Sequence, residues 1–501
     1  MQRHNYSSRQ SRGKLPLWTI FLPLLALTAL IAAPPQSRLY LTLFSAGSYS
    51  ALQCLLPECR FRRDRYLCPL NLAMLLFLLK LVAVPMILMV TQPEQGSLPL
   101  MPGRMAMEWA LLVETAAYVA FCMALRFVST RARAAGFWGS TTSLLEGAPG
   151  LLVPAAFACL GAIGLFAAFG SIGNLVAYFA NPSVLSDLTQ EAEGSLKALA
   201  GTVLRPFLAF SLILLWCRRI DLCNARGEKS RQALATGAVA IGVVVANLTF
   251  SFNRGAFVFP LLALVGVYVS KVYRISPLIL AGLAAIVMIP VLSIGSYRAS
   301  SKPGAEVFSP KASARDVSEE IQIYLAGPQF LGFFLDETGW GRSMYWGRTL
   351  VASALDPVPV IGKSFREGSA VAIYNRAIYG DTGNLDQNVP FQGELFINFH
   401  LAGVVAGYFA LGLLIGELQR RFEAAGAAFA AFAVQYIAAW AAMLIVWSLA
   451  VFSQILVYFC WPIYCYAGWN WVKRWSRNQD NQPLKSSLPT SFARGPAGGL
   501  P

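Results

Sequence analysis

The chain has 501 residues, of which 56% are hydrophobic and only 13% charged, with a formal net charge of +15. A soluble domain carries about 25% charged residues, so this composition excludes a string of soluble domains and points to an all-α polytopic integral membrane protein. The positive balance does not indicate nucleic acid, because the cations sit at intervals between apolar runs, where they would face anionic lipid.

A basic tail, residues 1–14 with Arg3, Arg9, Arg12 and Lys14, precedes the first apolar run. About twelve runs follow, each long enough to cross a hydrocarbon core of roughly 30 Å. They cover 15–33, 38–56, 68–90, 107–127, 151–170, 200–217, 233–251, 255–270, 276–295, 391–416, 426–446 and 448–471. Helices are the expected element, because backbone polar groups in lipid must be paired within the segment. The first run has the look of a signal peptide, but its length and the immediate second run favour an uncleaved helix.

Alternate connections carry Arg60, Arg62, Arg63 and Arg65, then Arg126, Arg131 and Arg133, then Arg218, Arg219, Arg226, Lys229 and Arg231, then Lys271 and Arg274, then Arg420 and Arg421. That is the signature of cytoplasmic loops and places both termini in the cytoplasm. Residues 15–295 and 391–471 are thus expected to form the membrane domain, with nine spans and three. Residues 472–501 read as a disordered cytoplasmic tail rich in Pro, Ser and Gly. No cysteine falls in an expected external segment, so no external disulfide framework is indicated.

One connection breaks the pattern. Residues 296–390 form a large loop on the external side, and a loop that long is usually functional or disordered. Its aromatic residues, among them Tyr324, Phe330, Phe333, Phe334, Trp340, Tyr345 and Trp346, favour order. Its stretch Ile321–Asp336, IQIYLAGPQFLGFFLD, is apolar enough to lie along the membrane surface.

Several residues qualify for chemistry, each with a plainer alternative. Arg254, in SFNRGAF between two spans, is either a snorkelling helix-end cation or a clamp for an anionic head group. Arg205, next to Pro206 near the external end of its span, admits the same two interpretations. Lys80 and Glu114 lie at similar depth in consecutive spans and are expected to neutralise one another, with a proton relay as the sharper alternative.

In the loop, Arg298, Arg342, Arg348, Arg366 and Arg376 offer planar forks that match phosphate oxygens, or are simply solvated. The strongest local constellation is Asn388–Leu401, NVPFQGELFINFHL, where the loop enters the tenth span. Glu394 is expected at the outer interface, beside a glycine that leaves room for a sugar. Partial desolvation would poise it for general-base work; the plainer role is a helix-start carboxylate facing the dipole. His400 lies about two turns further in and is either a buried hydrogen-bonded residue or a substrate contact. No Walker loop, dinucleotide fingerprint, DxD pair or HExxH occurs, so neither a metal nor a cofactor is expected.

SFNRGAF, IYLAGPQFLGFF and VPFQGELFINFHLAGVVAG, together with the layout, resemble the bacterial oligosaccharide repeat-unit polymerases of the Wzy type, the O-antigen polymerase superfamily. The family pattern in the last stretch is Gly-Glu, an aromatic, Asn, and glycines along the helix; here these are Gly393, Glu394, Phe396, Asn398, Gly403 and Gly407. The usual Phe-Gly after the Asn is Phe399-His400, so His400 stands in place of a glycine.

The resemblance implies transfer of a growing glycan from undecaprenyl diphosphate to a lipid-linked repeat unit, at the outer face of the inner membrane. On that basis Glu394 is the base. Arg254, Arg205 and Arg298 stabilise the diphosphate, with Arg342, Arg348, Arg376 and His400 as further substrate contacts. The implied partners are undecaprenyl-diphosphate-linked glycans, membrane lipids, a chain-length regulator and a flippase. The related O-antigen ligases share the layout, and a transporter of lipid-linked oligosaccharide is the competing class. A transporter built on duplicated halves would show an internal repeat, and none is evident.

Overall fold

The structure, a computed structural model, describes residues 18–62, 66–91, 102–131, 144–146, 149–180, 196–226, 232–250, 254–273, 275–276, 278–279, 282, 314–338, 344–359, 361–380 and 389–480. Arg298, Arg342 and the side chain of Arg254 lie outside these, as do the first residues of the chain, most of the 276–295 run and the end of the C-terminal tail.

The described residues are helical, without a strand. In chain order the helices are α1 (Trp18–Ala32), α2 (Leu41–Leu55), α3 (Pro69–Thr91), α4 (Arg104–Arg131), α5 (Leu152–Phe169), α6 (Ile172–Ala180), α7 (Leu196–Leu204), α8 (Pro206–Arg226), α9 (Gln232–Leu248) and α10 (Arg254–Lys271). They continue with α11 (Ala314–Leu325), α12 (Pro328–Thr338), α13 (Arg348–Leu355), α14 (Lys363–Arg366), α15 (Ala370–Tyr379), α16 (Phe391–Ala424), α17 (Ala428–Ala442), α18 (Leu449–Tyr458) and α19 (Trp461–Asp480). Six of the described helices are long and apolar enough to cross a membrane, or seven if the bent pair α18–α19 forms one span. Three shorter apolar helices, Thr19–Ala32, Ala235–Leu248 and Gly255–Lys271, accompany them. The chain is therefore a helical, multi-pass membrane protein by length and composition of its helices.

Sequence sets the helix limits. Pro69, Pro206 and Pro328 open their helices, where the missing N–H is no loss. Gly170, with φ +72°, ends α5. Ser369 caps α15 by accepting the Ala372 N–H. The long apolar run after residue 427 breaks at Val446–Ser448, between α17 and α18.

The core is built around α17, whose alanines Ala428, Ala430, Ala431, Ala433, Ala438, Ala439, Ala441 and Ala442 are all buried. Small residues let helix backbones approach closely in a membrane, where packing replaces the hydrophobic drive. The same device joins α16 to α4: a Cβ at Gly412 would fall 2.6 Å from the Phe121 carbonyl oxygen. It also joins α5 to the α7–α8 junction, where a Cβ at Gly164 would fall 2.5 Å from the Arg205 nitrogen.

The segment expected as a large loop is, where described, folded into α11–α15. Phe330, Phe333, Phe334, Ala370, Tyr374 and Ile378 make a small core of their own together with Val389 and Ile397. Ile321–Asp336, expected to be apolar enough for a membrane surface, packs against the rest of the protein. Phe330 and Leu331 are fully buried, and α12 presses against the start of α4 so closely that a Cβ at Gly332 would meet the Met107 nitrogen at 3.2 Å. The Gln322 amide donates to the Val84 carbonyl at 3.1 Å, and Gly103 N–H donates to Asp336 Oδ2 at 2.7 Å. Burial of its phenylalanines against protein has won over burial against lipid.

Candidate active site at the fold-back of α16

α16 is not one straight helix. Phe399 (φ −143°, ψ 19°) and His400 (φ 50°, ψ −149°) are non-helical and divide it into limbs 391–398 and 401–424. On a straight helix Leu395 and Gly407 would be about 18 Å apart. Here a Cβ at Gly407 would fall 2.4 Å from Leu395 Cδ1, and one at Gly403 would fall 2.8 Å from the Leu395 carbonyl oxygen. The first limb thus folds back on the second, and Gly403 and Gly407 make the room for it. The placement of Glu394 and His400 along a single straight span is corrected by this turn.

The first limb is fixed on all sides. The Gln392 amide donates to the Ile445 carbonyl at 3.0 Å, and Lys80 Nζ donates to Gln392 Oε1 at 3.4 Å. Lys80 sits on a π-turn within α3 and pairs with Glu114 at 3.4 Å, both side chains being almost wholly buried. This is the expected neutralising pair. Asn398 accepts the Gly347 N–H through Oδ1 at 2.8 Å and donates through Nδ2 to the Glu394 carbonyl at 2.7 Å and to Thr349 Oγ1. Tyr345 N–H donates to the Ile397 carbonyl at 3.1 Å. Asn398 therefore holds the turn before α13, where Trp346 has φ +47° and Gly347 φ +84°.

Among the described residues three non-glycines have positive φ, and two of them, Trp346 and His400, flank this limb. Backbone strain of that kind costs about 1–3 kcal/mol per residue and gathers where function over-determines the fold.

Glu394 is fully buried. The expectation that it stands at an open interface beside space for a sugar is corrected: a Cβ at Gly393 would fall 2.7 Å from the Phe334 ring, so Phe334 fills that space. Glu394 Oε2 accepts the Leu449 N–H at 3.0 Å, at the first turn of α18. The Ser353 side chain of α13 stands beside the carboxylate and accepts the Ala370 N–H at 3.4 Å. Oε1 is left without a hydrogen bond of good geometry among the described residues, as is the hydroxyl of Ser448, the residue that precedes α18.

The expected arginines divide. Arg205 is buried; its Nε and Nη1 donate to the carbonyls of Gly201 (2.5 Å) and Thr249 (2.6 Å), and its guanidinium lies 4.4 Å from the centre of the Phe250 ring. Phe250 packs on Phe459 beyond the far end of α18, roughly 15 Å along that helix from Leu449. The fold thus does not bring Arg205 to Glu394; it uses the cation to close the α7–α8 junction against α9.

Arg254 begins α10, whose Phe259 lies 5.9 Å from Trp447, next to Ser448. Five helical residues, about 7.5 Å of rise, separate Arg254 from that contact. Arg348 is exposed at the start of α13, two residues after the exposed Trp346, while Arg376 is exposed on α15. His400 is half-buried, its Nδ1 has no hydrogen bond among the described residues, and its ring meets Phe396 edge-on at 5.3 Å.

Gln392, Ser353, Thr349, Trp447 and Ser448 are the site residues that sequence reasoning missed. The signal for Ser448 was a polar residue at the break in an otherwise apolar run. Comparison with protein families, with curated proteins and with solved structures found no match to this chain.

Proposed function

We propose that this protein transfers glycans between undecaprenyl-diphosphate-linked oligosaccharides, polymerising repeat units of a surface or exopolysaccharide at the outer face of the bacterial inner membrane. In this reading the chain crosses the membrane about twelve times, as its apolar runs suggest. Both termini are cytoplasmic and α11–α15 form the external roof.

The observation that carries the proposal is the Glu394 carboxylate. It is enclosed, bonded through Oε2 to the first turn of α18, has the Ser353 side chain beside it, and makes no hydrogen bond of good geometry through Oε1 among the described residues. An acceptor hydroxyl must lose a proton as it attacks, and a positioned carboxylate takes it. The acceptor oxygen bonds to the anomeric carbon of the donor glycan, and the lipid diphosphate leaves with the bonding pair. Arg254 and exposed Arg348 supply positive charge for that leaving group, and exposed Trp346 offers a face for a sugar ring. Because Ser353 and α13 cover Glu394, the acceptor reaches it only when α13 lifts from α18. The left-handed backbone at His400 supports the reading further: it falls where the polymerases that the chain resembles carry a glycine.

Deletion of the gene in the cell of origin tests the proposal. The expected result is a lipid diphosphate bearing a single repeat unit on the outer leaflet, with no polymer, restored by the wild-type chain. Single units trapped on the inner leaflet would identify a flippase instead. Full-length polymer retained on its lipid would identify a ligase.

A further inference from the structure

Glu394 Oε1 and Ser448 Oγ are both buried without a hydrogen bond among the described residues, and the two residues meet at the start of α18, where the N–H following Ser448 is bonded to Glu394 Oε2. Both residues are fully buried. Ser448 is the N-cap residue of α18, yet its side chain makes no capping bond. A serine there ordinarily accepts an N–H two or three residues on; here Glu394 from α16 takes the Leu449 N–H at 3.0 Å instead. Besides Leu449, the carboxylate has the Ser353 side chain beside it; a buried polar atom left unbonded costs stability.

The chemistry of the pair selects its ligand. A helix N-terminus favours an anion, but the Glu394 carboxylate already occupies that position and would repel a phosphate. A cation would meet one carboxylate oxygen and a neutral hydroxyl. An alcohol matches both atoms: its proton points to Oε1, and its oxygen accepts from the Ser448 hydroxyl.

We propose that Ser448 and Glu394 together hold one alcohol hydroxyl at the N-terminus of α18, the acceptor hydroxyl of the incoming sugar. This rests on the glycosyl-transfer reading above. Ser448 orients the acceptor oxygen; Glu394 Oε1 receives its proton as the oxygen bonds to the anomeric carbon and the lipid diphosphate departs.

The test uses the full-length protein in lipid nanodiscs, with lipid-linked oligosaccharide extracted from the producing cells titrated as acceptor. Ser448→Ala should keep or raise the melting temperature, because it removes a hydroxyl with no structural partner. It should raise the acceptor KM about tenfold, the worth of one hydrogen bond, and leave kcat within a few-fold. Ser448→Thr, which keeps the hydroxyl, should restore KM. A native KM in Ser448→Ala, or a variant that melts lower or fails to insert, would overturn the pairing. Glu394→Gln separates the two levels. If it is inactive while Ser448→Ala behaves as wild type, only the hydroxyl pairing falls. If Glu394→Gln is fully active, the glycosyl-transfer reading falls with it.

Discussion

Among the described residues, two glutamates sit at helix N-termini contributed by other parts of the chain, and they behave differently. Glu108, on α4, spends both oxygens: it accepts the Tyr40 N–H at 2.6 Å and the Leu41 N–H at 2.7 Å at the start of α2. Tyr40 has no side chain suited to capping, so the glutamate supplies the whole cap. Glu394 accepts the Leu449 N–H through Oε2 and has the Ser353 side chain beside it, but its Oε1 makes no hydrogen bond among the described residues, although Ser448 stands at the position where a serine normally serves as cap. Half use alone does not mark a catalytic group: Asp221 accepts the Ala428 N–H through Oδ1 and leaves Oδ2 without a hydrogen bond among the described residues, but Lys271 stands near enough to balance its charge. A buried carboxylate with an oxygen free of hydrogen bonds and no cation beside it among the described residues is what favours the proposed catalytic role of Glu394 over its plainer role as a helix cap.

A second contrast lies at the other end of the α16–α17 hairpin. There Glu423 pairs with Arg62, and Glu417 accepts from Arg420 at 3.2 Å and Arg421 at 2.9 Å. Asp221 accepts the Ala428 N–H at 3.0 Å, and Lys271 Nζ donates to the Ala425 carbonyl. Carboxylates at that turn are balanced by cations, whereas Glu394 has no ion-pair partner among the described residues.

The largest expected effect sharpens the difference between committed and uncommitted polar groups. Lys80→Met leaves Glu114 buried without its partner and loosens Gln392; it should cost about 3–5 kcal/mol in stability, measured by thermal unfolding in detergent. Replacing Glu114 by Leu in the same chain should recover most of that loss. A neutral single variant would break the contrast, because Lys80 would then be no more committed than Ser448.

Arg254→Ala should lower the transfer rate by about 10²–10³, the usual loss when one donor to a developing anion is removed, while the protein still inserts. Arg254→Lys should recover only part, since a point charge lacks the bidentate fork. Wild-type polymer length in the alanine variant would return Arg254 to lipid-facing duty.

The smallest effect is a gain. His400→Gly relieves a backbone conformation that non-glycine residues avoid, and after the extra freedom of glycine in the unfolded chain the net should be about 1 kcal/mol of stabilisation. A higher melting temperature with native activity would show that His400 serves only the turn. A fall in activity with the same melting gain would assign the ring to the substrate.

Much of this architecture was legible in the sequence, and the reasons differ by element. Apolar run length gave α3, α4, α5, α8, α16 and α17, and equal depth in neighbouring spans gave the Lys80–Glu114 pair. The fold-back was hidden, because a histidine at φ +50° carries no propensity signal and the glycines at 393, 403 and 407 were equally compatible with close ligand approach. Structure shows them filled by Phe334, Leu395 and Phe399. The packing of α11–α15 was missed for a related reason: α12 is apolar enough for lipid, and only its contacts with α4 decide where it packs. Glu394 was found by its motif, but its half-used state depends on Leu449, 55 residues further along the chain, and no local pattern encodes that.

The central claim is tested most directly by the two glutamates side by side. Purified Glu394→Gln and Glu108→Gln proteins are compared with wild type for single-turnover transfer between lipid-linked oligosaccharides and for melting temperature. The account predicts that Glu394→Gln loses about 10²–10⁴ in rate with little change in melting, since the glutamine oxygen still accepts the Leu449 N–H. Glu108→Gln should melt lower, by the part of a cap worth about 0.5–2 kcal/mol, and transfer at the native rate. A Glu394→Gln protein that transfers at the native rate and differs from wild type only in melting temperature would contradict the account and make Glu394 a second Glu108.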